Sequence, residues 1–101
     1  MSEVAKFFAE VSANIAGLRA DEDLQALSRI WLREITRHKY AYNFTWMGRP
    51  IIQFPQDMVA MQEIIWNVRP RRIVETGVAH GGSLVYYASL LELLGGDGLV
   101  V

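Results

Sequence analysis

The chain has 101 residues, the common size of a single domain, and its 51% apolar and 21% charged residues exclude a wholly disordered polymer. Ten Lys plus Arg against eleven Asp plus Glu leave a net charge of −1, so there is no basic footprint for nucleic acid and no electrostatic membrane anchor. With no cysteine, disulfide scaffolds, thiolate zinc sites and cysteine nucleophiles are excluded.

The opening Met-Ser-Glu-Val-Ala-Lys lacks the basic-then-apolar order of a signal peptide. The longest apolar run, residues 84–94, is interrupted by Ser89 and Glu92 and falls far short of the roughly 20 residues of a bilayer span. A soluble chain without a transmembrane segment, placed in the cytoplasm, is the expectation. Val4, Phe7, Phe8, Val11, Ile15 and Leu18 recur at helical spacing, and Gly17 reads as a stop. Asp21 is a good N-cap for a second helix, and Glu22 and Asp23 complement the dipole of its first turn. Leu24, Leu27, Trp31 and Ile35 form the apolar stripe of that helix, with Arg33, Arg37, His38 and Lys39 toward its C-terminal end. Residues 1–40 are therefore expected to form a helical segment, a hairpin joined at Leu18-Arg19-Ala20, whose plainest role is packing or oligomerisation.

From Tyr40 to Pro55 the helical period is lost. Residues 44–47 and 51–53 read as short extended pieces around a Gly48-Arg49-Pro50 turn. A helix follows over residues 56–68, with Pro55 set for its first turn and Met58 and Met61 as core filler; Pro70 ends it. Residues 72–76 then read as a strand, 77–82 as a glycine-rich turn, 83–94 as a buried helix and 99–101 as the opening of another strand. This succession predicts a right-handed βαβ unit, the start of a parallel sheet in an α/β fold. Because parallel strands are covered on both faces, and the chain stops inside an apolar strand, a fragment is expected.

Residues 75–83, Glu-Thr-Gly-Val-Ala-His-Gly-Gly-Ser, carry the chemical information. Gly77 frees the backbone to turn sharply, Ala79 and Gly81 keep bulk out of a ligand's path, and the following helix offers unpaired N–H groups to an anion. The dinucleotide fingerprint Gly-x-Gly-x-x-Gly is absent, because Ala79 and His80 interrupt it. No Gly-Lys-Ser/Thr of a phosphate loop follows either.

The pattern that remains, Glu-x-Gly-x-x-x-Gly-x-Ser, resembles the first motif of class I S-adenosylmethionine-dependent methyltransferases. Taken with Trp46-Met47-Gly48-Arg49-Pro50, Gln53, Pro55-Gln56-Asp57 and residues 69–83, it is similar to the cephalosporin hydroxylase and rhamnosyl O-methyltransferase family, over about residues 42–101. The resemblance implies that residues 41–101 are an incomplete Rossmann-like domain that binds S-adenosylmethionine. Glu75, Gly77, Val78, Ala79, His80, Gly81 and Ser83 would be its cofactor-binding residues. Gly77 and Gly81 would line the amino-acid end of the cofactor, and Ser83 would hydrogen-bond its carboxylate. Glu75 would fix the turn or accept from the amino group; a carboxylate capping local backbone N–H groups is the plainer alternative. His80 is more simply a polar loop residue than a catalytic one. Phe44, Tyr42 and Trp46 are explained equally by cofactor cover and by core packing.

The resemblance also implies Mg²⁺ held by downstream carboxylates to orient an acceptor hydroxyl and lower its pKa. No acidic cluster here is spaced for that, so metal ligands and catalytic residues are expected beyond Val101, and the chain alone is expected to be inactive. The implied reaction is methyl transfer to a hydroxyl of a sugar, glycolipid or antibiotic-like small molecule, by a protein that takes no nucleic acid and forms a homo-oligomer. Two readings stand beside it. One is a nucleotide-binding Rossmann-type oxidoreductase or hydroxylase, against which Ala79 and the Gly81-Gly82-Ser83 order count. The other is a non-catalytic helical interaction module.

Overall fold

The computed structural model describes residues 2–101, which fall into two compact units, Met1–His38 and Lys39–Val101. In the first, helix α1 spans Glu3–Ala20 and helix α2 spans Glu22–Thr36. Ser2 caps α1 by accepting the Ala5 N–H at 3.1 Å. Asp21 alone joins the helices: its N–H closes α1 on the Gly17 carbonyl at 3.1 Å, and its carboxylate accepts the Leu24 N–H at 3.0 Å. Gly17 is therefore not the stop expected of it, and the connection is not Leu18-Arg19-Ala20. A glycine inside a helix costs about 1 kcal/mol, and the favourable helix formers after it, followed by the Asp21 cap, outweigh that. The apolar stripes are present, yet no residue of either helix is buried; Val4, Phe7, Phe8 and Leu27 are each more than half exposed.

The second unit opens with one 3-10 turn, Tyr40–Tyr42, and an antiparallel hairpin of β1 (Phe44–Trp46) and β2 (Arg49–Ile51). Phe44 lies opposite Ile51 and Trp46 opposite Arg49. The turn is Met47-Gly48, with φ of 49° and 82°, not the expected Gly48-Arg49-Pro50. Two-residue hairpin turns favour positive φ at both central positions because that backbone twist matches the strands. Pro50, which cannot donate to a ladder, is tolerated in a two-stranded ribbon where its nitrogen needs no acceptor.

Helix α3 spans Pro55–Val68 with Pro55 at its first position. It ends at Arg69, left-handed at φ 50°, whose N–H reaches the Ile65 carbonyl at 2.8 Å and whose guanidinium lies 4.0 Å over the Trp66 ring. Strand β3 (Arg72–Ile73), helix α4 (Gly82–Leu94) and strand β4 (Leu99–Val100) complete the chain. The two strands are parallel neighbours, Arg72 opposite Leu99 and Ile73 opposite Val100, so β3, α4 and β4 form a βαβ unit. Regular strand is shorter than expected over 72–76, although the Glu75 N–H still bonds the Val101 carbonyl at 2.9 Å. The unit is a mixture of helix and strand, compatible with an α/β fold.

The core of this unit gathers Ile51 (2% exposed), Ile65, Tyr86, Tyr87 and Leu91, with Phe44, Trp46, Met58 and Met61 packed against it. Trp46 meets Tyr86 edge to face at 4.8 Å and donates its indole N–H to Ser89 at 3.2 Å. Phe44 and Trp46 are thus core residues, while Tyr42 is exposed. The Tyr86 hydroxyl donates to the Met58 carbonyl, tying α4 to α3.

Gly82, the first residue of α4, is the tightest joint. A Cβ built there would stand 2.1 Å from the Pro50 carbonyl oxygen and 2.9 Å from the Ile51 Cα. Only a residue without a side chain lets helix and hairpin backbones approach so closely. Gly82→Ala is expected to lose about 3 kcal/mol or more, the upper end of overpacking costs, with a matching fall in melting temperature. A second outcome concerns alkali. Burial, and secondarily the neighbouring Tyr87, push the Tyr86 phenol above its ordinary value of 10.0. The unfolded chain therefore ionises first: this contribution to stability is fully present below about pH 10 and is lost as the pH rises through the higher folded value. Denaturant melts between pH 9 and 11 should show that decline, and it should be shallower in Tyr86→Phe.

Candidate functional site

The site is built where β3 turns into α4. Within residues 77–81, Gly77, Ala79 and Gly81 all have left-handed backbones, at φ of 72°, 49° and 82°. The Gly81 N–H closes the turn on the Val78 carbonyl at 3.0 Å, and the Val85 N–H on Gly81 at 3.2 Å starts the helix. Gly81 is the N-cap of α4 and supplies no side-chain acceptor, so the first-turn N–H groups point outward as an anion-favouring end. Ala79 is strained there, since a Cβ in this region costs about 1–2 kcal/mol.

The loop and the segment after β2 enclose an open cleft of about 240 Å³, lined by Pro50, Ile51, Ile52 and Gln53 on one side. Glu75, Gly77, Val78, Ala79, His80, Gly82 and Ser83 line the other. Six of the seven residues singled out from sequence thus share one cavity. The seventh, Gly81, lies beneath Arg49, whose guanidinium is 3.7 Å from where its Cβ would be and donates to the His80 carbonyl at 3.4 Å. The His80 side chain is exposed, as befits a polar loop residue.

The polar groups of the cleft are unevenly satisfied. Ser83 donates its hydroxyl to Oε1 of Glu75, so serine and carboxylate hold one another across the turn. Oε2 of Glu75 is buried and has no hydrogen-bond partner. The same is true of Oε1 of Gln53, whose amide nitrogen donates to the Tyr87 hydroxyl at 3.4 Å. Each such orphan acceptor costs about 1–3 kcal/mol. Sequence reasoning found Glu75 but gave no role to Gln53 or Gly82, whose partners, Tyr87 and the Pro50–Ile51 backbone, lie far away in the chain.

Among the described residues, no group of three His, Cys, Asp or Glu side chains is placed to hold a metal ion. Among them, too, no helix is long and apolar enough to cross a membrane.

A βαβ unit with a glycine turn, a carboxylate after the first strand and an uncapped helix start is an arrangement found in α/β proteins. Residues 38–101 match the rhamnosyl O-methyltransferase/CmcI family, and the chain belongs to that family. Among curated proteins it is similar to the rhamnosyl O-methyltransferase of Mycobacterium leprae (strain TN), 34% identical over 64 residues, or 57% of this chain and 28% of that protein. The rhamnosyl O-methyltransferases of Mycobacterium bovis (strain BCG / Pasteur 1173P2) and Mycobacterium tuberculosis (strain ATCC 25618 / H37Rv) are likewise 34% identical over 64 residues, 57% of this chain and 26% of each. The chain thus spans about a quarter of the length of the curated relatives it matches. No solved structure matches it.

Gly77 offers a check on the loop. A Cβ there meets nothing within 4 Å, so a side chain at this position carries a conformational cost rather than a clash. Gly77→Ala should lose about 1–2 kcal/mol from the left-handed backbone. Ala79→Gly should be neutral or stabilising, because relief of the same strain offsets the added chain entropy. Paired denaturation curves read both.

Proposed function

We propose that residues 41–101 belong to the cofactor-binding domain of an S-adenosylmethionine-dependent O-methyltransferase with a Rossmann-like sheet. The observation that carries the reading is the cleft between the glycine turn and the hairpin, lined by Glu75, Gly77 and Ser83. Its volume of about 240 Å³ is below the ~300–1,000 Å³ of a whole small-molecule site, and suits one end of such a cofactor. The residues fit that end: a carboxylate, Glu75, among the lining residues for the ammonium, an uncapped helix start for the carboxylate, and left-handed glycines that keep the approach open. Bound there, S-adenosylmethionine would supply an activated methyl group.

The work of these residues is then binding and orientation. Ser83 positions Glu75, which takes over the role of fixing the amino group. Gly77 and Gly81 shape the turn beneath it. Holding the cofactor in one pose turns methyl transfer into an effectively intramolecular step, which is where proximity and orientation lower the barrier. The relatives' name, rhamnosyl O-methyltransferase, supports a sugar or glycolipid hydroxyl as acceptor for this protein too, and a cytoplasmic site of action belongs to the same proposal. A divalent cation has no ligand group among the described residues, and none of the roles above depends on one.

The test is calorimetric titration of the full-length protein with S-adenosylhomocysteine. Glu75→Gln should weaken binding by about 1.5–3 kcal/mol, the value of a hydrogen bond to a charged group. Ser83→Ala should weaken it less, about 1 kcal/mol, since it only releases the carboxylate. Unchanged affinity in Glu75→Gln would refute the assignment. Transfer of labelled methyl from S-adenosylmethionine to a rhamnosyl glycolipid tests the acceptor class.

A further inference from the structure

The first unit, Met1–His38, holds two well-capped helices without a buried residue in either. A unit below ~40 residues usually needs a disulfide, a metal or association with another chain to be stable. The chain has no cysteine, and no metal-binding group exists among the described residues. Association is left. Of the apolar residues on α2, Leu24 and Ile35 are half-buried, whereas Leu27 and Ile30 are 62% and 48% exposed.

Those two exposed residues belong to an ordered stripe. Asp23, Leu27, Ile30, Glu34 and Arg37 succeed one another at intervals of four and three, the spacing that keeps side chains on one side of a helix. Arg37, the C-cap, still has helical backbone. The N-terminal end of α2 carries Asp21, Glu22 and Asp23, and none of the three is in an ion pair among the described residues. The C-terminal half carries Arg29, Arg33 and Arg37 against Glu34 alone, which Arg37 holds at 2.8 Å and Arg33 at 3.4 Å. That half is net positive.

A helix that is acidic at one end and basic at the other matches itself when reversed. An antiparallel mate related by a two-fold axis sets each acidic end against a basic one, while a parallel mate faces like with like. We propose that this stripe of α2 is a self-association surface: it pairs with the same stripe of a second copy of this chain, antiparallel, with Leu27 and Ile30 at the centre. None of its residues lines the cleft, so the interface and the cofactor site can be perturbed separately.

Sedimentation equilibrium of the full-length protein tests the pairing by charge reversal. The wild type should be a dimer that weakens with salt, because the facing ends are exposed. Glu22→Lys with Asp23→Lys makes both ends of α2 net positive; Arg33→Glu with Arg37→Glu makes both net negative. Each double variant alone should associate roughly tenfold more weakly or worse, since several charge pairs turn repulsive at once. Mixed in equal amounts, the two should recover a one-to-one dimer of near wild-type affinity, which variants that had merely unfolded could not do. A monomeric wild type overturns the proposal. So does a dimer indifferent to both reversals, which must use another surface, and so does a mixture no tighter than its components. If a double variant fails to fold, Asp23→Lys and Arg37→Glu singly are read the same way, each weakening the dimer several-fold and the mixture restoring it.

Discussion

The close approach of Gly82 to the Pro50–Ile51 backbone is the constraint on which the second unit depends. It fixes where α4 begins relative to the hairpin, and every other joint follows from that distance. Ile51 becomes the most deeply buried residue of the core. Trp46 is brought over Tyr86 and within reach of Ser89. Gln53, two residues past the contact, is set across a narrow cleft from Glu75. The hairpin, small as it is, is therefore a structural wall of the site as well as a lid on the core.

Side-chain burial works with that joint. Tyr86 and Tyr87 are adjacent on α4, and their rings are 5.5 Å apart. One hydroxyl is used on the Met58 carbonyl of α3 and the other receives the Gln53 amide. A pair of phenylalanines would bury similar area, yet would leave the Met58 carbonyl and the Gln53 nitrogen without these partners. The tyrosines thus add direction to a hydrophobic contact that has none of its own. The first unit has no such core. Its helices are defined by their caps, at Ser2 and Asp21, and by spacing, while their apolar stripes stay largely exposed.

What was legible in the sequence follows from how local each signal is. Asp21 as an N-cap, Pro55 at a helix start and the apolar periods of the helices are decided by near neighbours, and they read correctly. The strand–glycine turn–helix–strand order was legible for the same reason, and so was the clustering of Glu75, Gly77, Val78, Ala79, His80 and Ser83 around one cleft. Gly17 misled because a stop signal competes with the cap four residues later, and the better cap prevailed. The hairpin turn was shifted by one residue because Pro50 suggests a turn on its own, whereas the observed turn needs positive φ at Met47, an unusual residue for it. Gly82 and Gln53 were out of reach for a different reason. Their importance lies in contacts with residues more than thirty positions away in the chain, and no local pattern encodes those.

The distribution of those long-range contacts also bears on what distinguishes this cleft from other clefts beside a glycine turn. A strand, a flexible turn and an open helix end can receive many anionic or nucleotide-like ligands, because backbone N–H groups carry little chemical specificity. Specificity has to come from side chains that face the turn. Here they come from the hairpin and the link after it: Arg49 beside Gly81 and His80, and Gln53 facing the acidic wall. The family match begins at residue 38, at the boundary of the second unit, and so takes in hairpin and turn together. The part of the chain that matches the family is therefore the part that closes the cleft.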